Sequence, residues 1–153
     1  MPHPRYPEGA SMPLHSVSVA GAVVRDDGRI LAIRRADNGT WEPPGGVLEL
    51  DESPEDGTVR EVLEETGIRV SVERLTGVYK NMNRGVVALV FLCRPEAGAE
   101  RTSSESTAVR WLSPQEVRDM MSEVYAIRAL DALSPTLAPH VRSHDGRRLL
   151  ESA

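Results

Sequence analysis

Apolar and polar residues alternate from Ser16 to Val24, where the chain reads Ser-Val-Ser-Val-Ala-Gly-Ala-Val-Val. Period two with small residues on one side predicts a strand. Asp26-Asp27-Gly28 supplies turn chemistry, so Arg29 to Arg34 reads as the returning strand of a hairpin. Asp37 to Thr40 is a loop, and Trp41-Glu42-Pro43-Pro44-Gly45-Gly46 is stiff and non-helical because residues before proline avoid the α region. A helix follows. Ser53 suits its N-cap, Pro54 its first turn and Asp56 the acid of a capping box, while Gly67 supplies the stop. Ile68 to Val72, Thr76 to Lys80 and Val86 to Cys93 read as strands, Pro95 to Ser104 as a polar loop, and Thr107 to Leu112 as a short strand. Ser113-Pro114-Gln115-Glu116 opens a helix, and Glu123 to Leu133 has helical spacing through Val124, Ala126, Ile127 and Leu130. Strands and helices mix without strict βα alternation, which predicts an α+β fold.

The chain's 153 residues suffice for one core. Residues 1–16, with four prolines, read as a flexible leader; 17–133 form the domain; 134–153 are a tail to which the pattern assigns no structure. A composition of 40% hydrophobic and 27% charged residues is that of a soluble globular protein. The net charge of −5 argues against a broad nucleic-acid surface held by counterion release. A local basic pocket for a small phosphorylated ligand stays open. Cys93 is the only cysteine, so no intrachain disulfide can form. The run from Val86 to Cys93 is too short to span a bilayer, and no signal-like stretch opens the chain. The expectation is a cytoplasmic protein without a membrane partner.

Glu61, Glu64 and Glu65 fall within an arc of roughly 100° on the first helix. Val59, Val62, Leu63 and Thr66 gather on the opposite arc, so the acids are expected to point away from the core. Such a row is ordinarily a solvated face. Here the acids repel one another and crowd toward the negative end of the helix dipole. Arg60, four residues before Glu64, offsets only part of this. A bound cation would reverse both costs, and carboxylate oxygens are hard ligands suited to Mg²⁺ or Mn²⁺.

The surrounding residues sharpen the picture. Gly46, Glu52, Arg60, Glu61, Val62, Glu64, Glu65, Gly67 and Ile68 stand at the spacing G-x5-E-x7-R-E-U-x-E-E-x-G-U, with U aliphatic. A chance match is on the order of one in a billion at average residue usage. The segment resembles a complete Nudix (MutT-like) box, and the order of motifs fits over residues 17 to 132. Upstream, Leu31 to Ala36 and Trp41 to Gly46 are similar to the family's approach to the box; downstream, Val109-Arg110-Trp111-Leu112 with Pro114 and Glu116 is similar to its late strand and helix.

The resemblance implies an α/β/α sandwich with a mixed sheet and a loop–helix–loop at the active site. It implies that Glu61, Glu64, Glu65 and the Gly45 carbonyl ligate divalent metal. Arg60 would orient a glutamate, Glu52 would anchor the loop, and Gly46 and Gly67 would serve its shape. The general base is Glu61 or Glu105, with Glu100 as a substitute. Arg35, with Arg34 beside it, would touch phosphate, and Gly46 would let the backbone approach substrate. Tyr125 or Trp41 would stack on a base, unless the core takes them. His140 and His144 lack a third ligand and are not expected to hold metal. Met120 and Met121 read as packing, and Cys93 as buried and inert.

The implied reaction is metal-dependent hydrolysis of a phosphoanhydride in a nucleoside diphosphate linked to another group. The first reading is a (d)NTP pyrophosphatase releasing NMP and pyrophosphate. The second is an ADP-ribose or NDP-sugar pyrophosphatase, although Arg69 to Arg94 lacks the proline of the ADP-sugar members. Met120 to Tyr125 lacks the asparagine of members that read oxidised guanine. A non-catalytic nucleotide sensor is the reading from another class, and a homodimer the expected assembly if there is one.

Overall fold

The fold is that of a computed structural model describing residues 12–151, so the leader assigned to residues 1–16 lies mostly outside the described residues. In chain order the elements are β1 (Ser16–Val23), β2 (Ile30–Arg35), β3 (Trp41–Glu42), β4 (Gly45–Val47), α1 (Pro54–Thr66), β5 (Ile68–Asn81), β6 (Val86–Gly98), β7 (Ser106–Leu112), α2 (Pro114–Met120), α3 (Glu123–Ala132), β8 (His140–His144) and β9 (Leu149–Leu150). They form a six-stranded sheet, β4-β1-β6-β5-β8-β9, and a three-stranded sheet, β3-β2-β7. The large sheet is mixed: β1–β6 and β5–β8 run parallel, the remaining pairs antiparallel.

Period-two alternation divides the core into two layers. From β1 and β6, Ala20, Ala22, Ala88, Val90 and Leu92 pack toward Val117 of α2 and Ala126 and Ala129 of α3. Val23, Phe91 and Cys93 pack on the other face with Val62 of α1 and Ile68. The small residues of β1 therefore have a purpose on both faces. A Cβ on Gly21 would stand 2.8 Å from Val62 Cγ2, so glycine lets α1 lie close to the sheet. The unbroken apolar run of β6 is what a strand covered on both faces requires. This is the α/β/α sandwich expected.

The helix ends follow their sequence signals. Ser53 Oγ accepts the Asp56 N–H at 3.1 Å, and Gly67 closes α1 at φ 77 with its N–H on the Leu63 carbonyl. The reciprocal capping box forms instead on α2, between Ser113 and Glu116.

The expected hairpin between the first two strands does not form. Both edges of β1 are occupied, by β4 and β6, and beyond the Asp26–Gly28 turn the chain crosses into the second sheet, touching β1's end only at the Val24–Ile30 bridge. The two strands expected from Ile68 to Lys80 are one, because register shifts at Val72/Arg74 and Leu75/Gly77 absorb the residues between them. The polar loop expected from Pro95 is strand as far as Gly98. β1 ends opposite Cys93, which frees that edge, and proline is tolerated where no ladder N–H is needed. The segment after residue 133 is built into the large sheet: β8 lies parallel to β5, and β9 folds back on it. Asp131 of α3 fastens it, accepting from Tyr79 Oη and from Arg142 Nε and Nη2, each at 2.8 Å.

Candidate active site

One cleft of about 680 Å³ opens where β4, α1, β5, β8 and α3 meet. Glu61 and Glu65 enter it from α1 and are only 8% and 5% exposed. The acidic row is thus split: only Glu64, with 59% of its side chain exposed, points to solvent as the helical arc predicts. Gly45 and Gly46 make the burial of the other two feasible. The Gly45 N–H donates to Glu65 Oε2 at 3.0 Å, and a Cβ on Gly46 would lie 2.6 Å from the Glu61 carboxylate. No side chain other than hydrogen fits between β4 and that carboxylate.

Arg60 is the hub of the loop–helix junction. It donates to both Glu52 oxygens (2.9 and 2.6 Å), to Glu61 Oε1 (2.9 Å) and to Glu64 Oε2 (3.2 Å). Glu52 also accepts the Glu49 N–H, and the two interactions hold its carboxyl down at about 2. Burial pushes the Glu61 carboxyl up, against the pull of Arg60. Burial likewise pushes Glu65 up to about 8, opposed by the Gly45 N–H and reinforced by the charges of Glu61, Glu42 and Glu105.

These groups fit a divalent ion. Two buried, mutually repelling carboxylates beside exposed Glu64 form a set of hard oxygen donors, and a third buried acid, Glu42, has an Oε2 with no hydrogen-bond partner. Among the described residues no three acids or imidazoles already converge on one point.

A stability prediction follows for the ion-free protein. Between the ordinary glutamate value of 4.5 and about 8, the folded state keeps a proton on Glu65 that the unfolded state has lost. Folding stability should therefore fall as pH rises through that window and level off above it. Denaturant titrations in chelator across pH 5 to 9 read the slope. Glu65→Gln should flatten it; an unchanged slope would assign the proton elsewhere.

Glu105 lines the cleft; its carbonyl accepts the Ala36 N–H, which ties its loop to the end of β2. Glu100 does not enter. It accepts from Trp111 Nε1 in a separate shallow depression beside Arg25. Arg35 lines the cleft, held by Asp37 at 2.8 and 2.6 Å and by Glu42 at 3.4 Å. Arg34 instead bonds the Gly39 carbonyl. Tyr125 borders the cleft, whereas Trp41 packs against the core with Arg110 beside its ring. Met121 is in the core, and Cys93 is fully buried with its thiol pushed up to about 12 by burial.

Among the charged and polar residues of the cleft, Glu42, Asn81 and Arg128 have no role in the sequence reading, and His144 enters it only as a discounted metal ligand. Glu42 is hidden inside a proline-rich loop signature, and Arg128 inside an otherwise apolar helical stripe. Asn81 and His144 meet only because β8 lies beside β5, a pairing with no local signal.

The comparisons agree with this geometry. A family model described as the NUDIX domain matches residues 14–131. A "MutT-like protein" from Streptomyces ambofaciens is 73% identical over 94% of this chain and 92% of its own. A "putative 8-oxo-dGTP diphosphatase" from Bacillus subtilis is 32% identical over 60% of this chain and 62% of its own. The crystal structure of an ADP-ribose pyrophosphatase from Streptococcus suis superposes with a TM-score of 0.73 at 25% identity, covering 84% of this chain and 99% of its own. With a family model over most of its length and a close relative over nearly all of it, the chain belongs to the Nudix (MutT-like) hydrolases, which act on nucleoside diphosphate-linked substrates.

Proposed function

We propose that this enzyme is a (d)NTP pyrophosphatase, converting a nucleoside triphosphate and water to NMP, pyrophosphate and a proton. The carrying observation is the composition of this cleft: Glu61 and Glu65 buried on one wall, with Arg35, Arg128 and Tyr125 bordering the same space. A divalent ion, Mg²⁺ or Mn²⁺, would be held by Glu61, Glu64, Glu65 and the Gly45 carbonyl; when bound it neutralises diphosphate oxygens and acidifies water. Arg35, which lines the same cleft, would receive phosphate, and Gly46 would let the backbone approach the substrate closely. Arg60 keeps Glu61 and Glu64 oriented, and Glu52 locks Arg60 to the loop. The water proton goes to Glu61 or to Glu105 as the oxygen–phosphorus bond forms and the anhydride bond breaks. Glu61 is buried beside Arg60, whereas Glu105 is exposed at the cleft's edge.

A second reading, hydrolysis of ADP-ribose or another NDP-sugar to two monophosphates, is favoured by the likeness to the Streptococcus suis structure. The deciding experiment is a Mg²⁺-dependent screen over dNTPs, NDP-sugars and dinucleotides with product identification, using Glu64→Gln as control. Pyrophosphate release supports the first reading, and paired monophosphates from ADP-ribose the second. Tight binding of one nucleotide without turnover of any would point to a sensor instead.

A further inference from the structure

The cleft extends past its carboxylates to an end built from α3, β5 and β8. Three side chains there carry donors that no group among the described residues accepts. His144 is 3% exposed. Its Nδ1 accepts the Gly146 N–H at 3.0 Å, which leaves the ring proton on Nε2, and that atom has no partner. Burial and the charge of Arg128 hold its pKa down, so the ring is neutral. Arg128 lies over Tyr79 and Tyr125, 5.3 and 5.0 Å from the ring centroids, yet its buried Nε has no acceptor. Asn81, registered opposite His144 in the β5–β8 ladder, commits its Oδ1 to the N–H groups of Asn83 and Arg84, leaving Nδ2 to donate.

Buried donors without acceptors are costly, and more so when the donor belongs to a cation, as at Arg128 Nε. A ligand group bringing acceptors would relieve both. We propose that His144, Arg128 and Asn81 form a specificity subsite that reads the nucleobase, favouring one with two adjacent acceptors: guanine at O6 and N7, or cytosine at N3 and O2. Adenine sets its amino donor beside each corresponding ring acceptor, so one of the subsite's donors would face another donor. Tyr125 supplies a flat wall beside the base. His144 lies on β8, beyond the residues matched by the family model, whereas Asn81 and Arg128 lie within them. The inference rests on the nucleotide reading of the cleft.

Phosphate oxygens are acceptors too, so the test must separate base from anion. Full-length enzyme with Mg²⁺ is assayed on GTP, CTP, UTP and ATP, and binding of GMP, CMP, AMP and pyrophosphate is measured by calorimetry. Variants are Asn81→Asp, which keeps the turn-forming Oδ1 and removes the donor, and Arg128→Met. We expect kcat/KM for GTP or CTP to exceed that for ATP by about tenfold or more. Each variant should move the ratio toward one, mainly through KM. Equal use of all four nucleotides, or a preference that survives both variants, would overturn the proposal. So would an equal loss of pyrophosphate and GMP binding, which would assign the donors to phosphate. Should no nucleotide be hydrolysed, the pyrophosphatase reading fails, and the monophosphate binding series decides the subsite by itself.

Discussion

Glu61→Gln is expected to lower kcat by about 10²–10⁴-fold, with the fold intact. Glutamine matches the volume of the carboxylate packed against Gly46, where a Cβ would already clash at 2.6 Å, so the space is filled as before. It also removes a buried charge whose burial is only partly offset by Arg60, so thermal stability should hold or rise. What disappears is an anionic oxygen next to the reacting phosphates. Steady-state rates with chromatographic product analysis, beside a melting curve, separate the two effects. A variant retaining more than about a tenth of wild-type kcat would remove Glu61 from the chemistry and leave Glu105 as the acid to examine.

The second large effect concerns stability. Asp131→Ala is expected to cost roughly 2–4 kcal/mol, a fall in Tm of about 5–15 °C. The buried carboxylate accepts from Tyr79 Oη and from two guanidinium nitrogens of Arg142, and His140 Nδ1 stands 3.7 Å away. Its removal leaves a fully buried phenol without an acceptor and an arginine without its counter-charge. Because this carboxylate joins α3 to β8, the loosened strand should also raise KM through His144. Differential scanning calorimetry reads the first effect and substrate titration the second. An unchanged midpoint would mean that the strand is held by its ladder alone.

Much of this arrangement is legible in the sequence because its signals are local. Ser53, Pro54 and Gly67 bound α1 within one stretch of chain, and the glutamate spacing marks the helix as unusual before any partner is seen. The same locality misleads about the direction of the acids. On a helical wheel Glu61 and Glu65 oppose the apolar arc, yet both are buried, because β4 brings two glycines over that side of the helix. Strand partners are legible only where geometry leaves one choice. The run Val86 to Cys93 announces a central strand, but nothing in Asp26-Asp27-Gly28 says that the chain will leave one sheet for the other. Asn81 and His144 are 63 residues apart in a register that only the folded sheet defines.

Ser16 and Ser18 line the same cavity as His144 and Gly146. During synthesis the wall from β1 leaves the ribosome well before the wall from β8. The acidic helix can fold while translation continues, but the cavity gains its far side only once β8 has emerged. Loop closure between β1 and β8 must therefore precede substrate capture, and the nascent enzyme should stay inactive until β8 has joined the sheet, whatever the speed of its earlier folding steps.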